Sequence, residues 1–123
     1  MPEKIAWSMS ARVDGGPQIS INEILEVEAY EKVNVILPGQ KKTTIEVQQS
    51  EGLARLILIA PDKYEKLHFS VDGGSPIALD HPIMLVGEGA VNLLGKKQNV
   101  LEFNNENPDN VSVMMLVAGK AIK

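Results

Sequence analysis

The sequence predicts an all-β protein: an antiparallel β-sandwich or flattened barrel of jelly-roll type, built from two tandem repeats of about 58 residues related by a pseudo-twofold axis. Three observations lead there. Apolar residues alternate with period two along most segments, and Asp-Gly-Gly turns separate them. The chain also echoes itself. Val13-Asp14-Gly15-Gly16 returns 58 residues later as Val71-Asp72-Gly73-Gly74, Ile19-Ser20-Ile21 as Ile77-Ala78-Leu79, Val33-Asn34-Val35-Ile36 as Val91-Asn92-Leu93-Leu94, and Leu56–Ala60 as Met114–Ala118. In between, Gly39, Lys41 and Ile45-Glu46-Val47 match Gly95, Lys97 and Leu101-Glu102-Phe103 at an offset of 56, and an Asn-rich loop restores the difference. The reading is one domain over 1–123, with repeat one at about 3–61 and repeat two at about 62–121. Each copy alone would be marginal, since a ~60-residue unit buries only about 60% of its unfolded surface, so two copies sharing one core are expected.

Residues 5–13 place Ile5, Trp7, Met9, Ala11 and Val13 on one side of a strand. Asp14-Gly15-Gly16-Pro17 turns the chain, since glycine accepts positive φ. Ile19, Ile21, Leu25, Val27 and Ala29 resume the alternation against outward Glu26 and Glu28. Val33–Leu37 is a strand ended by Pro38-Gly39, and Thr43–Val47 is the next. Leu56–Ala60 is apolar without interruption, which predicts a strand covered on both faces. In the second copy Lys66–Val71, Ile77–Leu79, Met84–Val86, Val91–Leu94, Val100–Phe103 and Val111–Ala118 follow the same order, and Asn104–Asn110 is a loop by composition.

Composition narrows the function. A net charge of −4 and a pI near 5.1 oppose a nucleic-acid binder, and only five aromatic residues are available for stacking on bases. No cysteine is present, so disulfides, thiolate metal sites and thiol nucleophiles are excluded. Neither a signal peptide nor a span of ~20 apolar residues is apparent, so no membrane partner and a cytoplasmic location are expected.

Differences between the copies suggest where the protein associates. Outward Glu26 and Glu28 become Met84 and Val86, and Arg55 becomes Val113 beside Met115 and Val117. Large contiguous apolar patches are rare on monomers, so Met84, Val86, Val113 and Met115 are read as an interface in a homo-oligomer.

No catalytic residue, metal site or cofactor is assigned. His68 lies opposite Leu67 and Phe69 and reads most simply as a solvent-facing strand residue. His81 in Asp80-His81-Pro82 has a possible orienting carboxylate, but repeat one has no matching pair. Asp14 and Asp72 are isolated hairpin acids without the alternating acids of a calcium loop. Gly87-Glu88-Gly89 is a fragment of a phosphate-loop pattern, and Lys41-Lys42 with Lys96-Lys97 are solvated turns. Asn34 and Asn92, polar at one position in both copies, are the polar pair hardest to dismiss; with His81 they form the weak candidate ligand set.

The reading is a non-enzymatic structural or protein-interaction domain that self-associates and suits a component of a larger assembly. Its alternative is a small-ligand or carbohydrate-binding module. Light scattering tests the interface assignment: the wild type should exceed 13.4 kDa, and Met84→Glu or Met115→Glu should weaken association.

Overall fold

The computed structural model describes residues 3–47, 54–95 and 100–119. Among the described residues ten strands occur in chain order: β1 (Glu3–Arg12), β2 (Gln18–Val27), β3 (Ala29–Leu37), β4 (Lys41–Glu46), β5 (Ala54–Pro61), β6 (Leu67–Val71), β7 (Ile77–Ala78), β8 (Ile83–Val86), β9 (Val100–Asn105) and β10 (Val111–Gly119). A one-turn helix α1 (Glu88–Val91) and a 3-10 turn (Asn92–Leu94) lie between β8 and β9. The protein is mostly β, and every pairing is antiparallel.

Three sheets result. β1 and β2 form a hairpin by themselves. Two four-stranded sheets follow in the orders β3-β10-β5-β8 and β4-β9-β6-β7. One hydrophobic cluster draws on both: Leu37, Ile57, Ile59, Val113, Met115 and Val117 from the first, Leu67, Phe69, Val71, Leu101 and Phe103 from the second. Phe69 and Phe103 are direct cross-strand partners, with ring centroids 6.0 Å apart at 28°. Offset ring pairs of this kind add about 0.5–1.5 kcal/mol beyond their buried area.

Pleating sends alternate residues of β5 and β10 to the opposite face. There Leu56 and Ala118 are buried, and Leu58, Met84, Val86 and Leu116 are partly buried. The base of the β1–β2 hairpin covers that end through Ile5, Leu25 and Val27, and the Glu28 N–H donates to the Gly119 carbonyl at 2.8 Å. The uninterrupted apolar run of β5 is thereby explained: the strand lies inside its sheet, with Leu56, Ile57 and Ile59 all buried.

The repeat offsets reappear in strand registers. Ala11 opposes Ile19 in the first hairpin, and Phe69 opposes Ile77 in the other; both turns carry a Gly N–H to Val carbonyl bond, at 2.8 Å (Gly16 to Val13) and 2.9 Å (Gly74 to Val71). Gly15 and Gly73 sit at φ 70° and 76°, a conformation that disfavours other residues. Between β5 and β10, Leu56 opposes Ala118 and Ala60 opposes Met114, while Leu58 opposes its own counterpart Leu116. Between β4 and β9, Ile45 likewise opposes its counterpart Leu101.

One expectation fails. Val91–Leu94 is not the strand that its echo of Val33–Ile36 predicts; it is helical. β8 instead takes on β5 the place that β3 takes on β10, with Leu85 opposite Ile57 and Val33 opposite Met115. The chain reaches β8 sooner after the β6–β7 turn than it reaches β3 after the β1–β2 turn, because β7 has two residues and β2 ten. The surplus chain that follows β8 folds into a helical turn with Val91 buried.

Asn104 and Asn105, expected in a loop, instead close strand β9, and the Asn-rich segment is built inward. Asn105 is fully buried, and its Nδ2 donates to the carbonyls of Leu37 (3.0 Å), Pro38 (3.3 Å) and Asp109 (3.0 Å). Its Oδ1 accepts from the Asn107 N–H at 2.9 Å, and Asn107 Nδ2 reaches the Glu65 carbonyl at 2.6 Å. A Cβ on Gly39 would overlap the Pro108 backbone, so the β3–β4 turn fits against this loop only with glycine.

Two measurements check this account. Phe103→Ala should lower unfolding free energy by about 3–5 kcal/mol in urea titration, the usual cost of emptying a buried aromatic site. Asn105→Asp sets a carboxylate against three carbonyl oxygens and should cost at least about 2 kcal/mol.

Candidate functional site

The most unusual surface is the β1–β2 arm. Its strands are ten residues each, against five and two for β6 and β7, and they span about 33 Å at ~3.3 Å per residue. Towards the tip the arm is open to solvent: Met9 is 39% exposed, Val13 62%, Ile19 67% and Ile21 44%. The residues 58 positions later differ sharply, with Leu67, Val71 and Leu79 at 2%, 6% and 0% and Ile77 packed against the core. β9 has β6 on the side away from β4, whereas among the described residues no strand pairs with the other side of β4, which is an edge of its sheet. Val33, Val35 and Ile45, near that edge, are only partly buried.

A second surface is the outer face of β3-β10-β5-β8. Ile36, Met114 and Tyr30 are exposed there, beside the partly buried Leu58, Leu116, Met84 and Val86. Met84 and Val86 thus touch solvent in part, and they also pack against Ile5 and Leu25 of the arm base. Val113 and Met115, assigned to the same interface from sequence, do not belong to it. Each is 1% exposed in the main cluster, pointing away from the outer face, and no surface remains for a partner. The alignment of Arg55 with Val113 misled here. Arg55 is at the sheet's end, where its Nη1 meets Glu88 Oε2 at 3.5 Å, so a charge is tolerated on the side that is apolar in β10.

The third surface is a polar groove of about 260 Å³ on β4, β9 and β6, lined by Lys42, His68, Ser70, Glu102, Asn104 and Glu106. His68 Nδ1 lies 3.9 Å from Glu106 Oε1, and Asn104 Nδ2 donates to the same carboxylate at 3.4 Å. Among the described residues His68 Nδ1 has no hydrogen-bond partner. Sequence reasoning placed His68 outward but did not gather its neighbours. The alternation of β6 and β9 held the signal, since His68 and Asn104 are directly opposed.

The weak ligand set is dispersed rather than gathered. Asn34 is exposed on β3 opposite Met114, while Asn92 begins the exposed 3-10 turn and so is not in a strand. His81 has a side chain 83% exposed, its Nδ1 3.6 Å from Asp80 Oδ1, and its ring stacks on Tyr64 at 6.1 Å. Asp72 is occupied structurally: its carboxylate accepts from the Val100 N–H at 2.9 Å. Lys96-Lys97 lie outside the described residues. Among the described residues no group of three His, Asp or Glu could hold a metal ion. No described helix is long and apolar enough to cross a membrane.

No family model, curated protein or solved structure matches this chain.

These positions yield a discriminating pair of variants. Met115→Glu buries a charge in the core and should abolish cooperative unfolding, whereas Met84→Glu should retain it, read by circular dichroism on heating.

Proposed function

We propose that this chain is a non-enzymatic structural or protein-interaction β-domain that self-associates, formed by two tandem copies of one unit packed as a sandwich. The observation that carries this is the contrast between the hairpins. Positions that are buried in copy two are open in copy one, although the register and turn are the same. Four large aliphatic side chains held in water forgo several kcal/mol of transfer free energy at ~25 cal/mol per Å². A surface of that kind on a folded arm suits a partner rather than solvent. The paired registers of β5 with β10 and β4 with β9 support the duplicated architecture, and the shared core cluster supports the sandwich.

A second reading is a small-ligand or carbohydrate-binding module. What favours it is the groove around His68, where a ring nitrogen without a hydrogen-bond partner faces acidic and amide side chains.

Molar mass by light scattering at micromolar concentration tests the first reading. A species larger than 13.4 kDa is expected, and Ile19→Lys with Ile21→Lys should reduce it to that mass with the fold retained. A monodisperse 13.4 kDa wild type would overturn the proposal. Thermal shift against a sugar panel tests the second, and a His68→Ala-sensitive stabilisation would favour it.

A further inference from the structure

Resting on that reading of self-association, we propose that the occupant of the open β4 edge is the β1–β2 arm of a second copy of this chain, docked in the register that β6 and β7 use on β9. The template is internal. In copy two the hairpin with the Val-Asp-Gly-Gly turn lies on β9 with Phe69 opposite Phe103, Ser70 opposite Glu102 and Val71 opposite Leu101. β4 is the counterpart of β9 at the offset of 56, and β1 is the counterpart of β6 at 58. Carrying the ladder over sets Ala11 opposite Val47, Arg12 opposite Glu46 and Val13 opposite Ile45.

Three features of the chain fit that register. Arg12 and Glu46 are of opposite charge and fall directly across from one another, which favours a cross-strand pair. Met9, Val13, Ile19 and Ile21 take the roles of Leu67, Val71, Ile77 and Leu79 and cover the half-open core at Val33, Val35 and Ile45. Asp14 reaches the backbone of Thr44, as Asp72 does that of Val100, where the Asp72 N–H donates to the Val100 carbonyl at 2.8 Å and the carboxylate accepts in return. Lys41 and Lys42 fall beyond the end of this ladder, beside the Gly16-Pro17 turn. They guard the free part of the edge against indiscriminate pairing without obstructing the arm.

The arm does not serve its own edge. Its base is fixed on the outer face of β3-β10-β5-β8, away from the core shared with β4, by Ile5, Leu25, Val27 and the Glu28–Gly119 bond. Closing onto β4 of the same chain would uncover Leu56 and Ala118. A neighbour's edge demands no such loss. Exchange of a hairpin between identical chains is a low-cost route to association, because the contact repeats one each chain already makes internally.

The absence of cysteine makes the register directly measurable. Val71 and Leu101 flank the hydrogen-bonded Asp72–Val100 pair and are therefore a non-hydrogen-bonded pair, with Cα atoms about 4.5 Å apart, within disulfide range. Val13→Cys and Ile45→Cys, made singly and mixed under mild oxidation, should give a disulfide-linked species of twice the chain mass as the main product. Ser8→Cys mixed with Ile45→Cys should stay unlinked. Light scattering of the wild type separates the two proposals. Association without the Val13–Ile45 link overturns the arm-on-edge contact and leaves self-association standing. A monomeric wild type overturns both. The double variant Val13→Cys/Ile45→Cys should link between chains, and a link within one chain at monomer mass would overturn the choice of a second copy as occupant.

Discussion

The pairing of β5 with β10 is the constraint on which the rest of the molecule depends. Both strands are interior to their sheet, and each carries apolar side chains on both faces. Their odd-numbered residues Ile57, Ile59, Met115 and Val117 enter the core shared with β6 and β9, while Leu56, Leu58, Leu116 and Ala118 form the seat for the arm. A slip of one residue would exchange those two sets, exposing the core set and forcing the partly solvated set inward. The central Leu58–Leu116 contact fixes that register, and β3 and β8 then have only one ladder position each beside it.

The β class and most of the strands were legible in the sequence because they rest on period two. The strands at Leu56–Ala60, Val111–Ala118 and the two Asp-Gly-Gly hairpins are where alternation and turn chemistry predict them. What period two cannot report is which strand lies beside which. The match of Val33–Ile36 to Val91–Leu94 is sound as a sequence echo, yet the neighbouring strand on β5 is Ile83–Val86, and the echo became a helical turn. Two of the four candidate interface residues were misplaced for a related reason. Val113 and Met115 were set beside Arg55 by offset, but an arginine at a sheet corner can leave the core side through its long stem, so its charge says little about the face. The polar groove around His68 needed strand neighbours from β4, β6 and β9 that sequence order keeps far apart.

The two halves differ chiefly in the chain between hairpin turn and next strand. In the first, β1 and β2 extend by pairing Glu3–Ser8 with Asn22–Val27. In the second, β7 is short and chain is spent later, at α1 and the 3-10 turn. The same hairpin is thus a docked flap in one half and a free-standing ribbon in the other. The difference lies in the strands themselves, since β2 runs ten residues and β7 only two.

The buried amides of Asn105 and Asn107 have a reach beyond the loop that carries them. They bind carbonyls from Leu37, Pro38 and Glu65, so one side chain pair stitches the β3–β4 corner of copy one to the entry of β6 in copy two. Gly39, pressed against Pro108, closes the same seam. Parting the β3–β4 corner from the entry of β6 would therefore strip these amides of buried partners on one side or the other.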